Sequence, residues 1–430
     1  MRRIRRGSGG WLFALAIAAT EAASAQEPAA GAPQGGPPAQ TPAASAHGFD
    51  LATASFVPIP EVDTEPGSGL TLGVIPTWLR TGSQGDIDRI IAPDLIRSEY
   101  FGWGSRMRIF DYPSEDTQWS VVGGGKERVE REFDAHYLTG QTRADPFTWS
   151  VETLYDRSGI PRFFGLGNNT SYRDQTSYVD NQGSLDVSIG RNFTQALQLA
   201  YRERVRSVDI LPGALHRLPS IQTVFPKLVG VGSEHELEQT LILTRDTRDS
   251  PIIPQSGARY SVYGGFVSSA LASSVSYTFF GAESRCYFPL TDGVTLAWHT
   301  AARYMPSAGD APFWALSSLG GDISVINERE PLRSYGPDRY VDRNLFSSSA
   351  ELRTRVADLK AFDTDVGFEL TPFVDAGKVF ASTGTSPFSQ LHTAGGLGVR
   401  GVASPFVVGY VDVGYSRHGP AVFSGINYPF

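Results

Sequence analysis

Cysteine is nearly absent. Cys286 is the single thiol in 430 residues, so no intramolecular disulfide can staple the fold. Long apolar runs are absent as well. Beyond residue 25 no stretch approaches the 18 or so consecutive apolar residues of a membrane-crossing helix. Nor does any long segment carry the 3.6-residue period of an amphipathic helix. Positive charge is scarce. The formal net charge is −8, and Arg2, Arg3, Arg5 and Arg6 sit in the first few residues, so the remainder is more acidic still. This argues against a nucleic-acid partner. Enzyme signatures are missing. There is no G-x-S-x-G elbow. His235-Glu236 begins like a zinc-protease motif, but Gln239 stands where the second histidine is required. Gly123-Gly-Gly-Lys126 lacks phosphate-loop spacing. The 7 histidines are scattered without metal-ligand spacing. The expectation is a non-enzyme with no cofactor and no metal.

What is present is organised in three parts. The four arginines, the apolar stretch Trp11–Ala19 and the small-residue site Ala23-Ser24-Ala25 read as a secretory signal peptide over residues 1–25. Residues 26–47 are rich in Pro, Ala, Gly and Gln and read as a disordered linker. Residues 48–430 are left as one domain. Its 46 Gly, 17 Tyr and 25 Phe suit strands, tight turns and aromatic girdles.

About sixteen alternating segments follow from Leu70 onward, separated by turn chemistry. The longest connections, 157–175, 207–233 and 305–344, all follow odd-numbered segments. The shortest, 191–193, 289–293 and 401–405, follow even ones. That sorting fits long extracellular loops and short periplasmic turns. The faces separate too. Glu351, Arg353 and Arg355 oppose Phe346, Ala350, Leu352 and Val356, while Arg202, Arg204 and Arg206 oppose Leu199, Tyr201 and Val205. A charge at the bilayer midplane costs about 2–4 kcal/mol, so the charged faces point into a lumen. The fold class is therefore all-β, a 16-stranded antiparallel transmembrane β-barrel with a long, inward-folded sixth extracellular loop. A sandwich with one solvated face is the lesser alternative. The final segment runs Val422, Ile426, Tyr428, Phe430 along one side. It resembles the terminal sorting signal of Gram-negative outer-membrane proteins, with Tyr428 and Phe430 as its aromatics. On that reading Phe430 matters more for assembly than for mature stability.

Three further motifs resemble the BamA/TamA-type outer-membrane proteins, the bacterial surface antigen family. Asp246-Thr-Arg248-Asp249, with Pro254 and Gly257, looks like that family's periplasmic turn. Leu332-Arg333-Ser334-Tyr335-Gly336 is similar to the tip of its sixth extracellular loop, with Ser334 where glycine is usual. Phe373-Val-Asp375-Ala-Gly377 resembles its strand motif. Arg162-Phe-Phe-Gly165-Leu-Gly167-Asn168 adds a local likeness. The resemblance implies that Arg333 docks on Asp375 inside the lumen. A guanidinium fork suits a carboxylate, and Glu351 is placed as a second acceptor.

The resemblance also sets the functional expectation. Family assembly factors carry periplasmic POTRA domains, but only about 45 residues separate the cleavage site from Leu70, too few for such a module by usual element lengths. The expectation is thus a POTRA-less member in the cell outer membrane, acting in insertion or translocation of protein or lipid. Its partners would be outer-membrane lipid, the barrel-assembly machinery during biogenesis, and an unidentified client protein. The alternative is a passive or gated diffusion channel that keeps only the fold.

Overall fold

The computed structural model describes residues 54–430 apart from 64–68, 82–86, 115, 252, 362–363, 385, 404–406 and 427. The signal peptide and linker expected over 1–47 lie outside the described residues. Among the described residues no helix-bearing module precedes the sheet.

Twenty strand segments form one sheet, the two-residue Arg162–Phe163 among them. Ile87–Ile91 and Asp94–Ser98 are halves of one strand, β3, interrupted at Pro93, which has no N–H to give the ladder. The barrel strands are β1 (Ser55–Asp63), β2 (Thr71–Thr81), β3, β4 (Gly102–Ser114), β5 (Thr117–Lys126) and β6 (Arg131–Thr139). They continue as β7 (Phe147–Ser158), β8 (Thr176–Asn192), β9 (Leu197–Pro212), β10 (Ser233–Asp246), β11 (Gly257–Val267) and β12 (Tyr277–Thr291). The last are β13 (Val294–Ser307), β14 (Asn344–Ala361), β15 (Thr364–Phe380), β16 (His392–Ala403), β17 (Val407–Ser416) and β18 (Gly419–Ile426). Each pairs antiparallel with its sequence neighbour, the register every hairpin barrel requires.

The β-barrel fold stands, and two strands join the sixteen read from sequence. Residues 117–139 are a hairpin, because the chain reverses at 127–130 without Gly, Asn or Pro; Val129 itself takes the left-handed conformation (φ 57°). Ser55–Asp63 is a strand despite Pro58 and Pro60, paired from Ser55↔Leu79 to Asp63↔Thr71. Prolines are tolerated there because the strand stands at one end of the ladder. The long connections still follow odd strands β7, β9 and β13.

Alternation sets the two faces. Leu185, Val187 and Ile189 on β8, Leu241 and Leu243 on β10, and Trp298 on β13 point outward and are exposed, as a lipid-facing band demands. Arg204, Arg206, Glu236, Glu238, Ser349 and Arg353 point inward and are buried. These charges are paired. Arg204 meets Asp186 at 2.6 Å and Glu328 at 2.9 Å, and Arg202 meets Glu238 at 2.7 Å.

The connection 308–343 is itself folded. Ser317–Leu319, Arg329–Glu330 and Tyr340–Asp342 make a small three-stranded sheet. On its outer side Phe313, Leu316, Ile326 and Val341 join an apolar cluster with Phe163 and Tyr277. The loop therefore occupies the lumen as a packed unit.

Candidate functional site

The site is where the tip of this loop meets the barrel wall. Leu332 and Tyr335 are fully buried with Leu319, Tyr340, Leu345 and Val379, which fixes the tip's depth. The Leu332 amide donates to Gly321 O at 2.9 Å and the Tyr335 amide to Leu332 O at 3.1 Å, closing a tight turn. Gly336 follows half-buried. This turn presents Arg333, which has no exposed surface.

Arg333 grips Asp375 on β15 at three points. Its Nε donates to Oδ2 at 2.9 Å, its Nη2 to Oδ1 at 2.7 Å, and its backbone amide to Oδ2 at 2.9 Å. The first two form the bidentate fork that guanidinium geometry favours. Nη1 reaches Glu351 on β14 and, at 3.1 Å, Asp412 on β17. The guanidinium also lies 3.6 Å above the Phe373 ring, so the strand motif supplies both the carboxylate and an aromatic floor.

The carboxylates are shared. Arg400 on β16 pairs with Asp412 and meets Glu351 at 3.2 Å, and Arg353 meets Glu351 at 3.1 Å. Three carboxylates thus face three guanidiniums in a buried, charge-balanced array. Burial works against the charge on Arg333, but Asp375 and Glu351 outweigh it and hold its pKa well above the ordinary value.

Small residues make room for the tip. A Cβ on Gly414 of β17 would run into the Arg333 carbonyl. Gly377, last of the strand motif, lies beneath the loop, where a Cβ would sit 2.9 Å from Leu319 Cδ1. Ser334 adopts φ 149°, in the region that favours glycine. Its hydroxyl compensates by bonding Ser416 Oγ at 2.8 Å and Gly419 O at 3.0 Å.

The remaining predicted residues lie elsewhere. The turn after β10 is local: Arg248 binds Asp246 at 2.8 Å, Asp249 accepts from the amides of Gln255 and Ser256, and Gly257 takes φ 88°. Pro254 is buried, and its neighbour Ile253 packs on Val402, Val408 and Tyr428. Tyr428 and Phe430 do not extend the last strand. β18 ends at Ile426, with Val422 outward and Phe423 inward, and simple alternation would turn 428 and 430 toward lipid. Both instead fold into the lumen and are buried.

Sequence reading missed Asp412, Arg400 and Arg339. The first two were detectable as opposite charges on inward positions of adjacent strands. Arg339, also buried, lies 4.4–4.5 Å from the rings of Phe164, Tyr172 and Tyr340 and donates to Thr170 Oγ1 at 2.7 Å. It clamps loop 159–175 onto the long loop. The Gly167 amide serves the same contact, donating to Val341 O at 2.8 Å, while Asn168 Nδ2 donates to Gln390 O at 2.9 Å in the connection between β15 and β16.

Residues 120–415 match the family model described as the Omp85 superfamily domain. The chain belongs to the Omp85 superfamily. Among solved structures it is similar to BamA from Haemophilus ducreyi lacking POTRA domains 1–3. That match has 12% identity and a TM-score of 0.50, and covers 82% of this chain and 74% of that one. It is also similar to CdiB from Escherichia coli, at 11% identity and TM-score 0.48, over 87% of this chain and 62% of that one. No curated protein sequence matches. The Omp85 assignment places the barrel in the Gram-negative outer membrane.

Proposed function

We propose that this Omp85 barrel inserts or translocates protein, or lipid, at the outer membrane, working at the seam flanked by β1 and β18. The observation that carries the reading is the long loop held in the lumen by a fully buried arginine. A lumen so filled favours work at the wall over passage through the pore. The ladder ends are suited to such work. β1 and β18 span 9 and 8 residues, against 18 and 17 for β14 and β15, so they offer fewer backbone bonds. Pro58 and Pro60 share one parity and withhold two amides from the same strand edge. The partners in this reading are outer-membrane lipid, the barrel-assembly machinery during biogenesis and a client chain. No catalytic step is assigned.

Photocrosslinkers placed on β1 and β18 in intact cells test the proposal. Capture of nascent outer-membrane or secreted chains at both strands is expected, and absence of any client adduct rejects it. The second reading is a gated diffusion channel. A cavity of 120 Å³ beside the loop, lined by Arg162, Arg206, Glu238 and Asp338 among others, favours it. Conductance separates the two. Solute flux through the intact barrel supports the channel, whereas flux that opens only when 308–343 is deleted supports a locked lumen.

A further inference from the structure

Arginines that point into the lumen, such as Arg204, Arg206, Arg333 and Arg400, each meet a carboxylate. Two that point the other way do not. Arg131 opens β6 and Arg157 stands next to last in β7, directly opposite each other in the register. They share the parity of Phe133 and Tyr155, which are exposed on the outer wall and are themselves a cross-strand pair. Arg157 comes ten residues after Phe147, the exposed residue that opens β7. Ten residues of a strand tilted by about 45° rise about 23 Å, close to the height of a barrel's apolar band. The long connection after β7 is extracellular. The two guanidiniums therefore stand where the extracellular leaflet passes from acyl chain to headgroup.

Like charges directly opposite in a sheet repel. Nothing in the chain relieves this pair. Among the described residues Arg157 makes no hydrogen bond or ion pair, and its Nε is buried without a partner. Arg131 Nη1 donates to the carbonyl of Lys126 and to Glu130 O at 2.6 Å, which leaves Nε and Nη2 open. Gly125, opposite Arg131 on β5, permits that posture, since a Cβ there would sit 2.9 Å from Arg131 Cδ. The neighbouring carboxylates are engaged elsewhere. Glu127 lies over Gly102, Glu130 accepts from the Gly159 amide at 2.7 Å, and Asp209, two strands along, accepts from Asn181 Nδ2 at 3.3 Å. Two adjacent guanidiniums without a counter-charge suit one tetrahedral anion, each offering parallel N–H donors.

We propose that Arg131 and Arg157 hold the phosphate of a lipid in the extracellular leaflet. Phe133 and Tyr155, the next outward pair, lie against its acyl chains. The apolar part of the ligand is what separates a lipid from free phosphate at this place. The site lies on the outer wall at β6 and β7, away from the seam, so its failure would leave the proposed function standing.

The test is the melting temperature of the full-length chain in detergent, titrated with diphosphoryl lipid A, with the same lipid after removal of its phosphates, and with inorganic phosphate. A saturable rise with the phosphorylated lipid is expected. The dephosphorylated lipid and inorganic phosphate should each need at least about tenfold more for the same rise. The double variant Arg131→Gln with Arg157→Gln should also bind the phosphorylated lipid at least about tenfold more weakly, as loss of a charge-assisted hydrogen bond implies. A second variant, Arg157→Glu, supplies Arg131 with a carboxylate from within the chain. It should melt above the unaltered chain without lipid and respond little to lipid. An equal response to the dephosphorylated lipid, an equal response to inorganic phosphate, or an unchanged lipid response in the double variant overturns the proposal. Should the double variant fail to fold, Arg157→Glu decides alone, and a lipid response as large as that of the unaltered chain overturns it.

Discussion

Two segments enter the lumen of this barrel, the loop tip at Arg333 and the C-terminal tripeptide at Tyr428–Phe430, and they are held by different physics. The tip is an ionic anchor, one guanidinium among three carboxylates with no exposed surface. The tail is an aromatic anchor, two rings against His299 and Arg353, with the Tyr428 hydroxyl donating to Glu369 Oε2 and the Phe430 carbonyl accepting from the Tyr287 hydroxyl. A buried ion pair is costly to break because the abandoned partner stays charged in a poor solvent. Removing an aromatic ring takes no charge away, so no ion loses its counter-charge. Arg353 belongs to both, bound to Glu351 on one side and to the Tyr428 ring on the other.

The largest effect should come from Arg333→Ala. It strands the Asp375, Glu351 and Asp412 carboxylates opposite only two guanidiniums, and about 3–5 kcal/mol of stability should disappear. Denaturant unfolding in detergent measures the change, and protease added outside intact cells should now cut within 308–343. Next is Gly414→Ala. Its Cβ collides with the Arg333 carbonyl, and the overpacking should cost about 1–3 kcal/mol with the same loop exposure. Replacing Tyr428 and Phe430 together by alanine should cost less than Arg333→Ala, about 1–2 kcal/mol, and leave the tip protected. A tail variant as damaging as the loop variant would break the distinction between the two anchors. The smallest effect is expected for Ser334→Gly. Relief of an unfavourable φ, worth about 1 kcal/mol, is offset by removal of the bonds to Ser416 and Gly419, so the melting temperature should barely move.

The same comparison explains what was legible in the sequence. The loop anchor could be read because charge declares itself. Asp375 and Glu351 sit on inward positions of alternating strands, and Arg333 lies in the longest connection with a motif around it. Asp412 and Arg400 carried the same signal, without a motif to draw attention to them. The tail was misread because alternation is blind to a turn-over. Val422, Ile426, Tyr428 and Phe430 share a parity whether the strand continues or reverses its faces after Ile426. Only the lumenal partners, scattered from Tyr287 to Glu369, decide between these, and no local pattern joins them. The hairpin at 127–130 was hidden for a related reason. Val129 accepts a positive φ that sequence reading assigns to glycine or asparagine.

That the loop is held in the lumen by a specific ion pair between Arg333 and Asp375 is the claim on which the rest depends. A double-mutant cycle of Arg333→Ala and Asp375→Ala, followed by unfolding in detergent, tests it most directly. The geometry predicts that the double variant is no less stable than the worse single one, with a coupling energy of about 1–3 kcal/mol. Additive effects, within about 0.3 kcal/mol, would mean that the two residues do not act on each other, and the ionic anchor would have to be given up.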